Sequence, residues 1–167
     1  DSYDWRDGIG PSNTRPKRTN FWANNGILQK VDAKHPAKSD PNTFGTIEFL
    51  RFCKLIQSEP YMAANLRGLP AQTLVEWIDY CNSPAGTTTL SERRAAHGSP
   101  EPYNVKYWGV GNESWGCGGE LTPEEYSVEF RKFTAWVPRY SNEPLRFIPA
   151  GPNSFDWNWT RKFFGKI

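Results

Sequence analysis

The stretch "NVKYWGVGNESWGCGG", residues 104–119, ends a β-branched and aromatic run in an amide beside a carboxylate, Asn112 and Glu113. Two readings compete for the pair. A turn would leave Glu113 solvated. A site at the mouth of a buried strand would make it a general acid. Trp108 and Trp115 bracket Glu113 in the sequence, and a partly desolvated carboxyl near aromatic rings has a raised pKa suited to proton donation. The glycines invite other chemistry, which the spacing rejects. Gly109, Gly111 and Ser114 lack the third glycine of a dinucleotide fingerprint, and no helix opens on them. Ser114 lacks the glycine two residues earlier that a nucleophile elbow requires.

Metal chemistry has little to build on. His35 and His97 are the two histidines, and Cys53, Cys81 and Cys117 include no Cys-x-x-Cys pair. Cys53 and Cys81 fall on apolar helix faces, where cysteine is a small core residue. The formal charge of +2 argues against a nucleic-acid partner. The basic cluster Arg15, Lys17 and Arg18 around Pro16 reads as a solvated loop rather than a phosphate site. No apolar run approaches a membrane span and no signal peptide opens the chain, which begins mid-loop without an initiator Met.

The elements that must hold Asn112 and Glu113 follow from periodicity. At 167 residues the chain is long enough for one domain with a core, and 15% aromatics supply it. Residues 1–43 read as irregular. Phe49, Cys53 and Ile56 predict a helix over about 45–57, and "PYMAAN" (60–65) a buried strand. Ala71, Leu74, Val75 and Ile78 predict a second helix, with a long loop over 83–103. "VKYWGVG" is the next strand. "TPEE" (122–125) is a capping box that opens a helix carrying Tyr126, Phe130, Phe133 and Val137 on one face. "LRFIPAGPN" (145–153) is a third strand, and "FDWNWTRKFFGKI" starts a further helix. Strands alternating with helices imply right-handed βα units and a parallel sheet. Ligands of such sheets bind at the carboxyl ends of the strands, where Asn65, Asn112 with Glu113, and Asn153 stand.

With those residues in place, "WGVGNESWGCGG" resembles the acid/base strand of glycoside hydrolases built on (β/α)8 barrels, in which an Asn-Glu pair ends the fourth strand. "YDWRDGIGP", "FGTIEFLRFCKLIQSEPYMAAN", "PEPYNVKYWGVGNESWGCGG" and "IPAGPN" together, in order, resemble glycoside hydrolase family 51, mostly α-L-arabinofuranosidases. The resemblance implies an α/β fold: residues 1–167 as part of a (β/α)8 TIM barrel. Residues 1–43 would be the loop after strand two, and residues 44–167 the βα units of strands three to five. A full barrel takes about 200 residues or more, so this chain would not close one.

The resemblance also implies roles. Glu113 would be the general acid/base and Asn112 the amide that hydrogen-bonds the sugar 2-hydroxyl. Trp22 matches an aromatic beside the sugar and Trp115 could shape the leaving-group side. For both, plain packing is an equal alternative. The catalytic nucleophile, a Glu ending the seventh strand, would lie beyond Ile167, as would a C-terminal β-sandwich. An Arg-x-Pro-Gly-Gly strand end expected before Asp1 is absent, and the stretch from Ala23 to Pro41 is longer than the family pattern.

The implied activity is retaining release of terminal α-L-arabinofuranosyl groups, with no metal or other cofactor. The implied partners are an arabinofuranoside-containing oligo- or polysaccharide and the remaining segments of the same barrel, with no nucleic acid and no membrane. The alternatives are an endo-β-glucanase or xylanase on the same fold, or a non-catalytic carbohydrate-binding fragment.

Overall fold

Three short apolar runs pair as the parallel strands of one sheet in the computed structural model, which describes residues 3–20, 23, 38–142 and 144–167. Two residue pairs first join the N-terminal segment to itself, β1 (Arg18–Thr19) running antiparallel to β2 (Ser39–Asp40). The sheet proper is β3 (Tyr61–Ala64), β4 (Tyr107–Val110) and β5 (Arg146–Pro149), in the order β3-β4-β5. Register is in phase, with Ala64 beside Val110 and Val110 beside Pro149, so all three carboxyl ends reach one edge together.

Helices connect the strands as βα units require. α1 (Thr46–Leu55) precedes β3, α2 (Gln72–Asn82) and α3 (Thr89–Ala96) lie between β3 and β4, α4 (Pro123–Thr134) follows β4, and α5 (Trp157–Phe164) follows β5. Side chains alternate across a strand, so Met62, Ala64, Trp108 and Val110 share the face that meets the helices. They are buried there with Leu74, Trp77 and Ile78 of α2 and with Tyr126 and Phe133 of α4. The other face carries Tyr61, Ala63, Arg146 and Ile148, all exposed among the described residues. The Tyr61 ring crosses Gly109 so closely that a Cβ there would stand 2.2 Å from the Tyr61 hydroxyl.

Three expectations need correction. The stretch over 83–103 is not all loop, because it contains α3. That helix buries Ser91 and Arg94, which no hydrophobic pattern marks. Arg15 is not solvated: its guanidinium pairs with Glu48 at 2.8 Å and donates to the carbonyls of Gly10 and Asn42. Lys17 does stay exposed, and Arg18 pairs with Asp7. Val137 lies past the end of α4, which stops at Thr134. The two buried cysteines, Cys53 and Cys81, are free thiols in the core, as their helix faces predict.

Candidate active site at the carboxyl end of the sheet

Sheet pairing stops just past β4, where the Gly111 N–H donates to the Ala64 carbonyl at 3.2 Å. Gly111 then turns with φ +81°. A Cβ there would lie 2.8 Å from the Ser114 hydroxyl, so glycine suits the position on both counts. Asn112 and Glu113 follow, both exposed. Glu113 itself adopts φ +45°, a left-handed backbone that a side chain larger than Asn rarely takes. What holds it is the loop that comes next. Its carbonyl accepts from the N–H groups of Gly116 (2.8 Å) and Gly118 (3.0 Å), while the Leu121 N–H returns to the Ser114 carbonyl at 2.8 Å. Gly118 passes so close that a Cβ would stand 1.8 Å from the Asn112 carbonyl.

That turn brings the Cys117 thiol onto the carboxylate. Sγ donates to Glu113 Oε2 at 3.1 Å, and this hydrogen bond to an anion, with slight burial, raises the thiol pKa. One carboxylate oxygen is thus oriented, and among the described residues the other has no hydrogen bond from the loop. The loop ends in the predicted capping box. The Thr122 hydroxyl accepts from the Glu125 N–H at 3.2 Å, and Glu125 Oε2 accepts from the Thr122 N–H at 2.8 Å. From the same helix the Tyr126 hydroxyl reaches back to the strand ends, donating to the Val110 carbonyl at 2.6 Å. Burial pushes this phenol up to about 12.

The pairing of Glu113 with two tryptophans does not survive folding. Trp108 sits on the helix side of β4, fully buried, with its ring edge-on to Trp77 at 5.6 Å. Strand alternation sends it away from the mouth. Trp115 is half-buried against the core. Glu113 is therefore an exposed carboxylate, not one desolvated between rings. Trp22 lies outside the described residues. Asn65 reaches the same edge but is committed to backbone, donating to the Tyr3 carbonyl and accepting from the Gly68 N–H, both at 2.9 Å. Asn153 is exposed beyond β5.

An open cleft of about 1030 Å³ lies beside this edge, lined among others by Asp7, Arg18, Asp40, Arg67, Cys117 and Glu120. Cys117 is its link to Glu113. Among the described residues, no three of His, Cys, Asp and Glu converge as metal ligands, and no helix is long and apolar enough to cross a membrane. The arrangement presents an exposed carboxylate at the strand mouth, able to exchange a proton with an arriving group, with the exposed Asn112 beside it in the chain. The sequence marked Asn112 and Glu113. It gave no sign of the thiol contact or the phenol bridge, because both depend on how the loop folds back.

The family model for the α-L-arabinofuranosidase 1 domain matches residues 1–159. An intracellular exo-α-L-arabinofuranosidase of Bacteroides ovatus is 34% identical over all of this chain, which corresponds to 30% of that relative. Among solved structures, the family 51 arabinofuranosidase of Xanthomonas axonopodis pv. citri superimposes with a TM-score of 0.86 at 31% identity, over 99% of this chain and 31% of that one. The arabinose complex of the Thermotoga maritima α-L-arabinofuranosidase gives 0.81 at 32% identity, over 99% and 31%. The chain thus spans about 30% of the length of the relatives it matches.

Proposed function

The chain belongs to glycoside hydrolase family 51, the α-L-arabinofuranosidases, and from that membership we propose that it supplies the acid/base portion of a retaining arabinofuranosidase. The complete enzyme removes terminal α-L-arabinofuranosyl groups from arabinose-containing polysaccharides by double displacement. Glu113 protonates the departing glycosidic oxygen and then deprotonates the incoming water. Asn112 hydrogen-bonds the sugar 2-hydroxyl as oxocarbenium character grows, and Trp115 borders the leaving-group side. A Glu on another strand of the same barrel makes and breaks the covalent bond to the sugar, and the remaining barrel segments are this chain's obligate neighbours.

The observation that carries the reading is the exposed Asn112–Glu113 pair at the carboxyl end of β4, the central strand of a parallel sheet. Its test is Glu113→Ala in the complete enzyme. Substrates with poor leaving groups should lose about 10²-fold or more in rate, the scale of general acid catalysis. Activated aryl arabinofuranosides, which depart without a proton, should lose far less. Azide should then restore turnover of the aryl substrate and yield the retained glycosyl azide, since a small anion attacks the covalent intermediate without a base. Equal losses on both substrates with no azide effect would sink the assignment. An inverted azide would make Glu113 the nucleophile instead.

A further inference from the structure

Between β4 and β5 the sheet ladder ends at the pair Val110 and Pro149, and the next rung is made by a side chain. The Tyr126 hydroxyl donates to the Val110 carbonyl at 2.6 Å and accepts from the Ala150 N–H at 2.6 Å. Donor and acceptor capacities of the phenol are both used, which fixes its rotor as well as its place. The ring has no room to swing. It is fully buried, stacked on Phe163 at 5.0 Å and tilted against Trp159 at 5.4 Å, both from α5.

What the phenol pins is the springing point of the site. Val110 is three residues before Glu113, and Ala150 is three residues before Asn153. Between Val110 and Glu113 the backbone passes through two left-handed residues, Gly111 at φ +81° and Glu113 at φ +45°. Small rotations at Val110 are therefore carried through a bent segment to the carboxylate, and the Gly111 N–H bond to Ala64 restrains it only from the β3 side. Tyr126 supplies the restraint from the β5 side.

We propose that Tyr126 is a positioning residue for Glu113: its hydroxyl, clamped between the ends of β4 and β5, sets the direction in which the acid/base loop leaves the sheet. The proposal rests on the reading of Glu113 as acid/base given above. A carboxyl that misses the glycosidic oxygen by a fraction of its reach loses proton transfer while leaving sugar binding largely intact. Tyr126 is fully buried, so it acts through Glu113 rather than on the sugar.

The experiment is Tyr126→Phe in the complete enzyme, which keeps the stacked ring and removes the hydroxyl. The rate on arabinosides with poor leaving groups should fall about tenfold or more relative to the rate on an aryl arabinofuranoside, with KM nearly unchanged. Azide should accelerate the aryl reaction, as in a mild form of the Glu113→Ala phenotype. In a Glu113→Ala background the same substitution should add little, because the group it positions is gone. The ratio of two rates on one preparation cancels the folded fraction, so lowered stability alone cannot imitate the result. A parallel loss on both substrates, an unchanged ratio, or full additivity with Glu113→Ala would overturn the proposal. If Glu113→Ala itself shows no leaving-group dependence, the acid/base reading fails first and this proposal falls with it.

Discussion

The Arg15 guanidinium stands 2.8 Å from Glu48 Oε1 and donates to the carbonyls of Gly10 and Asn42 at 2.7 and 2.8 Å. It ties the N-terminal segment to the start of α1, where Glu48 also accepts from the Gly45 N–H at 2.9 Å. Partial burial draws the Glu48 carboxyl upward, but the hydrogen bonds from Arg15, Gly45 and its own backbone outweigh it and leave the pKa below the ordinary 4.5. The sign of the pH dependence follows. A carboxyl with a folded pKa below its unfolded one contributes its full stability above the unfolded value and loses it as pH falls through the folded one. Thermal midpoints of the complete enzyme should therefore drop on acidification below about 4.5, the unfolded value. Glu48→Gln should flatten that slope. Arg15→Ala should cost about 1–3 kcal/mol, because it strands two carbonyls while Glu48 stays partly exposed and keeps the Gly45 N–H. A midpoint unmoved by Arg15→Ala would show the Arg15–Glu48 pair to be dispensable.

At the scale of elements, what could be read in advance was what apolar periodicity encodes. α1, α2, α4 and α5 present apolar faces to the core, and β3 and β4 are short runs with buried Met62, Ala64, Trp108 and Val110. α3 was hidden because polar groups fasten it. Arg94 donates to the carbonyls of Tyr80, Ser99 and Pro100, and Ser91 closes a capping box with Thr88. Hydrogen bonds of that kind depend on where distant carbonyls arrive. The same limit explains Arg15, placed by tertiary contacts, whereas the burial of Trp108 follows from strand alternation. Asn112 and Glu113 were legible because a strand's end is a local event. The loop after them makes a sharper demand. Gly118 packs where a Cβ would collide with the Asn112 carbonyl at 1.8 Å, and its N–H holds the Glu113 carbonyl at 3.0 Å. Backbone, not a mobile side-chain tip, would have to move. Gly118→Ala in the complete enzyme should therefore depress kcat about tenfold or more through displacement of Glu113, in keeping with the sensitivity of catalysis to misplacement. Stability should fall as well, since Gly118 and Ser114 are buried and the backbone between them would have to shift. Unchanged kinetics would mean that the loop accommodates the methyl without disturbing Asn112 and Glu113.

For the molecule as a whole, the decisive feature is a sheet covered on one side. Helices bury one face of β3, β4 and β5, whereas Tyr61, Ala63, Arg146 and Ile148 face outward from the other. Among the described residues, β3 and β5 each have one unpaired edge. Phe52 and Leu55 of α1, with Ile56 just past its end, add exposed apolar surface. In a closed barrel the bare face is the packed interior and neither edge exists, because the next strands pair with them. These 167 residues expressed alone should meet those needs in one another. Unpaired parallel edges and contiguous apolar surface favour association. Sedimentation should show species larger than the 19.1 kDa monomer, without a single cooperative melt. Catalysis should be missing for a separate reason. In a retaining mechanism two carboxyls about 5 to 5.5 Å apart divide attack and protonation, and Glu113 can perform one of those roles. An aryl arabinofuranoside should thus be hydrolysed no faster by the isolated chain than by its Glu113→Gln variant. A well-behaved monomer with a sharp melt, turning over that substrate in a Glu113-dependent way, would show both that the uncovered face is tolerated and that a second carboxyl is already in place.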